Sequence, residues 1–160
     1  MKKGFTLIEM IFYVAIVALV LLVIVNMILV VAWSNREFRV SRSIQNASVT
    51  AIERISRDIQ DAKNASQSTS DSLSLDIEDG QENTKTIDFV LTNGRIHVLE
   101  DSTDLGPITP DNVEITGLTF DLVTASTTQL VRTEISISSN IGSVSKSESF
   151  YTSAVLKGTY

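Results

Sequence analysis

The sequence predicts an α+β chain in which one long N-terminal helix packs on an antiparallel β-sheet. Three observations support this. Residues 10–33 are almost wholly aliphatic, residues 34–63 contain neither proline nor glycine, and the apolar spacing changes to a period of two after residue 71. The first two features favour one uninterrupted helix, because the residues that most often break helices are missing. The third is typical of strands that bury one face.

The first part of the helix has the length and composition of a membrane span. Tyr13 and Asn26 are the only polar side chains between residues 10 and 33. As a helix, residues 5–33 are long enough to cross a hydrocarbon core of about 30 Å. We therefore predict that residues 5–33 form the transmembrane half of the helix.

Glu9 is the exception at the start of this apolar run. A carboxylate deep in a membrane helix costs roughly 2.5–3.5 kcal/mol on insertion scales, and such residues are usually paired and functional. The chain should therefore contain, or create, a positively charged partner for Glu9.

The segment Gly4-Phe5-Thr6-Leu7-Ile8-Glu9, between two lysines and the apolar run, resembles the processing motif of type IV pilin-like proteins. This family includes type IV pilins and the pseudopilins of type II secretion and competence. Its members are cut after the glycine by a membrane-embedded prepilin peptidase, which also methylates the new N-terminal phenylalanine. The resemblance implies a leader of residues 1–4, cleavage between Gly4 and Phe5, N-methylation of Phe5, and Glu9 as the assembly residue.

The implied cleavage would supply the partner that Glu9 needs. It creates a positive amine on Phe5, which can pair with the Glu9 carboxylate of a neighbouring subunit and offset the desolvation of both charges. The expected partners are other pilin or pseudopilin subunits, the peptidase, an inner-membrane assembly platform and the lipid bilayer.

Lys2 and Lys3 favour a cytoplasmic N-terminus, whereas Arg36, Arg39 and Arg42 just past the other end of the span oppose it. The resemblance implies the cytoplasmic N-terminus, because the peptidase of that family acts on the cytoplasmic side, and the rest of the chain is then expected to be extracytoplasmic.

Two other classes of N-terminal segment compete with this interpretation. A secretory signal peptide has an apolar region of about 7–15 residues followed by a small-residue cleavage site. This apolar run is longer, and Val30-Val31-Ala32 is a poor site. A plain signal anchor would explain the length, but it explains neither Glu9 nor the Gly4-Phe5 junction.

Residues 34–63 are predicted to continue the helix in amphipathic form. Apolar and small side chains recur at helical spacing and form one stripe, which is expected to pack on a sheet: Ile44, Ser48, Ala51, Ile52, Ile55, Ile59 and Ala62. Four charged side chains are expected on the opposite side: Arg54, Arg57, Asp58 and Asp61. The polar segment 64–71 is predicted to be the helix exit and a loop.

Residues 64–160 are predicted to form a β-sheet head of roughly five or six strands. Alternating apolar residues place strands near 73–77, 87–91, 95–99, 118–122, 131–137 and 150–156. Asn93-Gly94 predicts a type I′ hairpin, because both central positions of that turn need positive φ. A two-residue loop pairs Thr92 with Arg95, and it places Phe89 and Val98 on one face.

Composition and charge exclude several functions. Cysteine is absent, which removes disulfides, thiol catalysis and iron–sulfur clusters. The single histidine, His97, is predicted to be a surface residue with no evident acid partner, and no nucleophile–base set is visible. Residues 64–160 carry five basic and fourteen acidic residues, which argues against non-specific DNA binding. We expect neither an enzyme nor a bound metal or cofactor.

The function that follows is a structural subunit of a type IV filament machine, a minor pilin or minor pseudopilin in protein secretion, DNA uptake or pilus assembly. The predicted pairing of a strand at 118–120 with a closing strand at 150–156 is similar to minor pseudopilins of the J type in type II secretion. The competing hypothesis is a single-pass anchored binding module that recognises a carbohydrate or peptide and never polymerises.

Overall fold

The computed structural model describes residues 6–78, 83–124 and 128–157. It contains one helix, α1 (Leu7–Asp61), followed by eight strands. The strands are β1 (Ala62–Thr69), β2 (Ser72–Glu78), β3 (Thr84–Thr92), β4 (Arg95–Glu100), β5 (Thr103–Pro107), β6 (Glu114–Thr124), β7 (Gln129–Ile141) and β8 (Val144–Val155). The chain divides into two compact units, an N-terminal unit (Met1–Phe38) and a C-terminal unit (Arg39–Tyr160). The predicted α+β architecture is confirmed.

In the N-terminal unit the structure describes the first part of α1, and none of these described residues is buried. Every described residue from 6 to 33 is exposed, including its many leucine, isoleucine and valine side chains. This part of α1 is long and apolar enough to cross a membrane. Such a large exposed apolar surface needs lipid or other helices around it.

In the C-terminal unit, the predicted stripe of α1 is the buried face of the helix. Ile44, Ala51, Ile55 and Ile59 are fully buried. Val40, one helical turn before Ile44, is also fully buried and begins the stripe. The amphipathic pattern of residues 34–63 thus correctly predicts the helix face that packs on the strands.

The strands form two antiparallel sheets, so the prediction of one sheet with five or six strands is wrong. The first sheet has the order β1-β2-β3-β4-β5, and the second has the order β6-β7-β8. Side chains from both sheets join the α1 stripe in one cluster of buried residues, among them Leu75, Phe89, Phe120, Val131 and Ile135. The alternation of apolar and polar side chains correctly identified the buried face of the predicted strands. The division into two sheets depends on which strands pair, and alternation does not specify this.

Residues 64–71 are mostly strand, which corrects the predicted loop. α1 ends at Asp61, two residues before the predicted end at Lys63, and β1 begins at once at Ala62. Ala62 and Ala65 are the β1 residues whose burial is described and which are buried, and the strand carries almost no apolar signal. Its conformation comes from backbone pairing with β2 and from the Gln67 Nε2 hydrogen bond to the Phe120 carbonyl, 2.8 Å long.

The predicted hairpin is confirmed in register and in turn type. Thr92 pairs with Arg95, Leu91 with Ile96, and Phe89 with Val98. The turn residues Asn93 and Gly94 have φ values of 51° and 71°, as a type I′ turn requires. The Gly94 carbonyl accepts a 2.8 Å hydrogen bond from the Ile115 amide, which links this turn to β6.

Two features of strand order differ from the prediction. β7 lies between β6 and β8 and pairs with both, so the expected pairing of 118–120 with 150–156 is wrong. β5, which was not predicted, forms an edge of the first sheet by pairing with β4. Both differences concern long-range pairing, which single-strand patterns do not specify.

Asp58 is buried rather than placed on the exposed side of α1, which corrects the prediction for that residue. Its residue surface is 7% exposed, and its Oδ2 accepts a 2.8 Å hydrogen bond from Arg54 Nε. Burial raises the Asp58 pKa above its ordinary value, and the hydrogen bond and charge of Arg54 only partly oppose this. The carboxylate is therefore held at the edge of the core by one neighbour on the same helix.

We expect Ile55→Asp to unfold a fragment consisting of residues 34–160. The substitution buries an unpaired charge and removes a packed side chain, with a combined cost of about 4 kcal/mol or more. Urea unfolding followed by circular dichroism would measure the loss. Val49→Asp is the matched control, because Val49 lies on the same helix and is 53% exposed. Equal stability of the two variants would contradict the packing described here.

The raised pKa of Asp58 predicts a specific pH dependence. Below the ordinary value of 3.8, the carboxyl is protonated in both states and its contribution to stability is fully present. That contribution is lost as pH rises through the higher folded-state pKa. The unfolding free energy of the wild-type fragment minus that of Asp58→Asn should thus be larger at about pH 3.5 than at about pH 7. A stability difference between wild type and Asp58→Asn that stays constant across this pH range would refute the assignment.

Candidate functional site

The start of α1 is capped by Thr6, the first described residue. The Thr6 carbonyl accepts hydrogen bonds from the Glu9 amide at 3.1 Å and the Met10 amide at 3.2 Å. The Thr6 Oγ1 accepts a longer one from the same Glu9 amide, at 3.4 Å. A threonine hydroxyl at this position satisfies one of the amides that the first turn leaves without an intrahelical acceptor.

Thr6 and Glu9 therefore have the spacing of a capping box, in which a Ser or Thr is followed three residues later by Glu. The sequence carries this signal, but the prediction considered Glu9 only as an assembly charge. An acidic side chain in the first turn of a helix is also favoured by the helix dipole. Glu9 thus has a local role in the helix start that is compatible with a second role toward another molecule.

The Glu9 side chain is exposed on α1. No ion pair to it forms within residues 6–78, 83–124 and 128–157. Gly4 and Phe5, the predicted cleavage and methylation residues, lie outside the described residues. Where α1 lies in a membrane, the Glu9 carboxylate needs a cation that this part of the chain does not supply.

His97 is partly buried and has an acidic neighbour, which corrects the expectation of a surface histidine with no acid partner. It pairs with Val90 across the β3–β4 hairpin, and 19% of its side chain is exposed. Its Nδ1 lies 2.9 Å from Asp104 Oδ2. The Asp104 carboxylate also accepts the Gly106 amide at 2.7 Å; this bond, followed by the His97 bond, lowers the Asp104 pKa. The pair ties β4 to β5.

A shallow depression lies on the outer face of the β6-β7-β8 sheet. It is lined by Thr119, Asp121, Arg132, Glu134, Tyr151 and Ser153, with Thr133 and Thr152 beneath them. Tyr151 is 72% exposed, and its hydroxyl donates a 3.0 Å hydrogen bond to Glu134. That bond and the Glu134 charge raise the Tyr151 pKa. By contrast, Phe89 and Phe120 are buried, so the depression presents a single aromatic ring.

Among the described residues, no three His, Asp or Glu side chains are grouped so that they could hold a metal ion. The candidate site is therefore the capped start of α1 with its exposed carboxylate.

Comparison with known proteins gives one match. Residues 1–25 match the family model described as the prokaryotic N-terminal methylation motif. No curated protein and no solved structure matches the chain. The matched segment contains Gly4, Phe5, Thr6 and Glu9 together with the first part of the apolar run.

This match predicts the mature N-terminus. In cells with an active prepilin peptidase, the purified membrane form should start at Phe5, carry one N-terminal methyl group and contain 156 of the 160 residues. Intact-mass measurement checks this directly. Gly4→Asp should block the cut, whereas Lys3→Gln, its control outside the junction, should not. A mass that retains Met1 to Gly4 in peptidase-positive cells would rule out processing at this site.

Proposed function

Because its N-terminal methylation motif marks this chain as a type IV pilin-like protein and a prepilin peptidase substrate, we propose that it is a minor structural subunit of a type IV filament machine. The machine would serve protein secretion, DNA uptake or pilus assembly. The protein is inserted in the inner membrane with a cytoplasmic N-terminus and an extracytoplasmic C-terminal unit. After cleavage it joins other pilin or pseudopilin subunits through α1.

The observation that carries this proposal is the exposed Glu9 carboxylate on an apolar helix, five residues after Gly4. Cleavage would place a positive amine on Phe5 at the same end of the next subunit. When that amine pairs with Glu9, each of the two charges gains a partner in the apolar environment. Such a pair would both recruit a subunit and set its axial position.

The C-terminal unit fits a structural rather than a catalytic role. Its buried polar groups serve the fold, as Asp58 does with Arg54 and Thr109 does by accepting the Ile96 amide. The His97–Asp104 pair lies across an edge strand, and neither residue has a nucleophilic serine or threonine within hydrogen-bond distance among the described contacts. We therefore propose that the protein is not an enzyme and that it works through surfaces.

One observation favours the second candidate, a single-pass anchored binding module. The depression around Tyr151 combines an exposed ring with Arg132, Asp121 and Glu134, which could contact a carbohydrate or a peptide. Gel mobility with and without the peptidase separates the two functions, since a module of that kind keeps the same size in both cells.

Glu9→Leu should leave membrane insertion and cleavage intact and impair incorporation into the filament. The leucine removes a desolvation cost, so insertion is not weakened. It leaves the neighbour's amine buried without a partner, at a cost of roughly 3–5 kcal/mol. Glu9→Gln should be intermediate, because it still accepts a hydrogen bond. The readout is co-purification with the other filament subunits at matched membrane levels.

Thr6→Val is the matched control, because it removes the capping hydroxyl and keeps the Glu9 charge. If Glu9 acts in assembly, Thr6→Val should co-purify far better than Glu9→Leu. If Glu9 only stabilises the helix start, the two variants should lose incorporation to the same extent. Co-purification of Glu9→Leu at the wild-type level would exclude Glu9 as the assembly residue.

A further inference from the structure

Asn26 is a polar residue in the apolar half of α1, besides Glu9 and Tyr13, and the filament function proposed above gives it no role. Its side chain is exposed on the helix. Within the part of the chain that the structure describes, the carboxamide makes no hydrogen bond. Asn26 lies seven residues, or about 10 Å, before Trp33, and tryptophan is enriched at the membrane–water interface. The carboxamide is therefore inside the hydrocarbon region, where an unsatisfied polar group is costly.

The neighbours of Asn26 on the helix surface have the spacing of a packing seam. Leu19, Leu22, Asn26 and Leu29 follow one another at intervals of three, four and three residues, and all are exposed. This is the spacing by which two helices pack through a narrow apolar seam, with leucines on either side of one asparagine. A single polar residue at such a position sets the register and the number of helices.

We propose that α1 pairs in the membrane with a second copy of this chain, in parallel, through the seam of Leu19, Leu22, Asn26 and Leu29. A carboxamide both donates and accepts hydrogen bonds, so two Asn26 side chains can satisfy each other reciprocally. Copies inserted in the same direction place Asn26 at equal depth, and the leucines then face leucines. A helix of another sequence would need its own polar group at that depth.

This pairing leaves Glu9 accessible. Asn26 lies seventeen positions after Glu9, which at 3.6 residues per turn places the two side chains roughly 100° apart around the helix. The two polar groups can therefore contact different neighbours. Asn26 would contact the paired copy, and Glu9 would contact the next subunit. The pair does not require cleavage, so it would form on the unprocessed chain before any filament exists.

Cysteine crosslinking tests the seam, because the chain has no cysteine of its own. Leu22→Cys and Leu29→Cys lie on the seam, whereas Val17→Cys and Ile24→Cys lie on the opposite side of the helix. Each full-length variant is expressed in cells that lack the prepilin peptidase, oxidised in native membranes and separated on a non-reducing gel. Co-expression of tagged and untagged copies identifies a homodimer by a band of intermediate mass. We expect at least about fivefold more homodimer at the seam positions.

The role of the carboxamide is tested in the Leu29→Cys chain. Asn26→Leu should reduce the homodimer by about fivefold or more, the factor that corresponds to one interhelical hydrogen bond. Asn26→Gln, which keeps the carboxamide, should retain most of it. Because leucine favours insertion, membrane levels should not fall, and an immunoblot of the membrane fraction verifies this. Equal crosslinking on both faces, insensitivity to Asn26→Leu, or crosslinks to a different protein would each overturn the proposal.

Discussion

The packing of the α1 stripe against the strands is the interaction on which the rest of the C-terminal unit depends. With no cysteine in the chain and no metal-holding cluster among the described residues, the unit is held together by its core. Fully buried helix residues such as Ile44, Ile55 and Ile59 meet side chains from both sheets in one cluster. Neither sheet could stay folded without that cover, because each has one apolar face that must be removed from water.

The same helix serves two environments without a break. Up to residue 33 the described side chains are exposed and almost all apolar, and from Val40 onward one face is buried in the C-terminal unit. No proline or glycine interrupts α1 between Leu7 and Asp61, so backbone hydrogen bonding continues across the change.

Some polar side chains of α1 lie in apolar surroundings and require a partner, among them Asp58, Glu9 and Asn26. Asp58 has one within the chain, in Arg54, and accordingly has a structural explanation. Glu9 contributes its amide to the Thr6 cap, but its carboxylate is without a cation in the described residues. Asn26 has no partner there at all. The Glu9 carboxylate and the Asn26 carboxamide both lie in the exposed apolar half of the helix, where polar groups commonly serve association.

Local patterns in the sequence determined the helix, its buried face, six of the strands and the β3–β4 turn. These features depend on side-chain periodicity and on the positive φ that Asn93 and Gly94 accept. The processing motif was readable for the same reason, since it is contiguous. Tertiary structure alone decided the rest. β1 is a strand because β2 pairs with it, and His97 meets Asp104 because β5 adds to β4. Each of these depends on residues distant in the chain, and alternation within one segment carries no information about which segment will lie next to it.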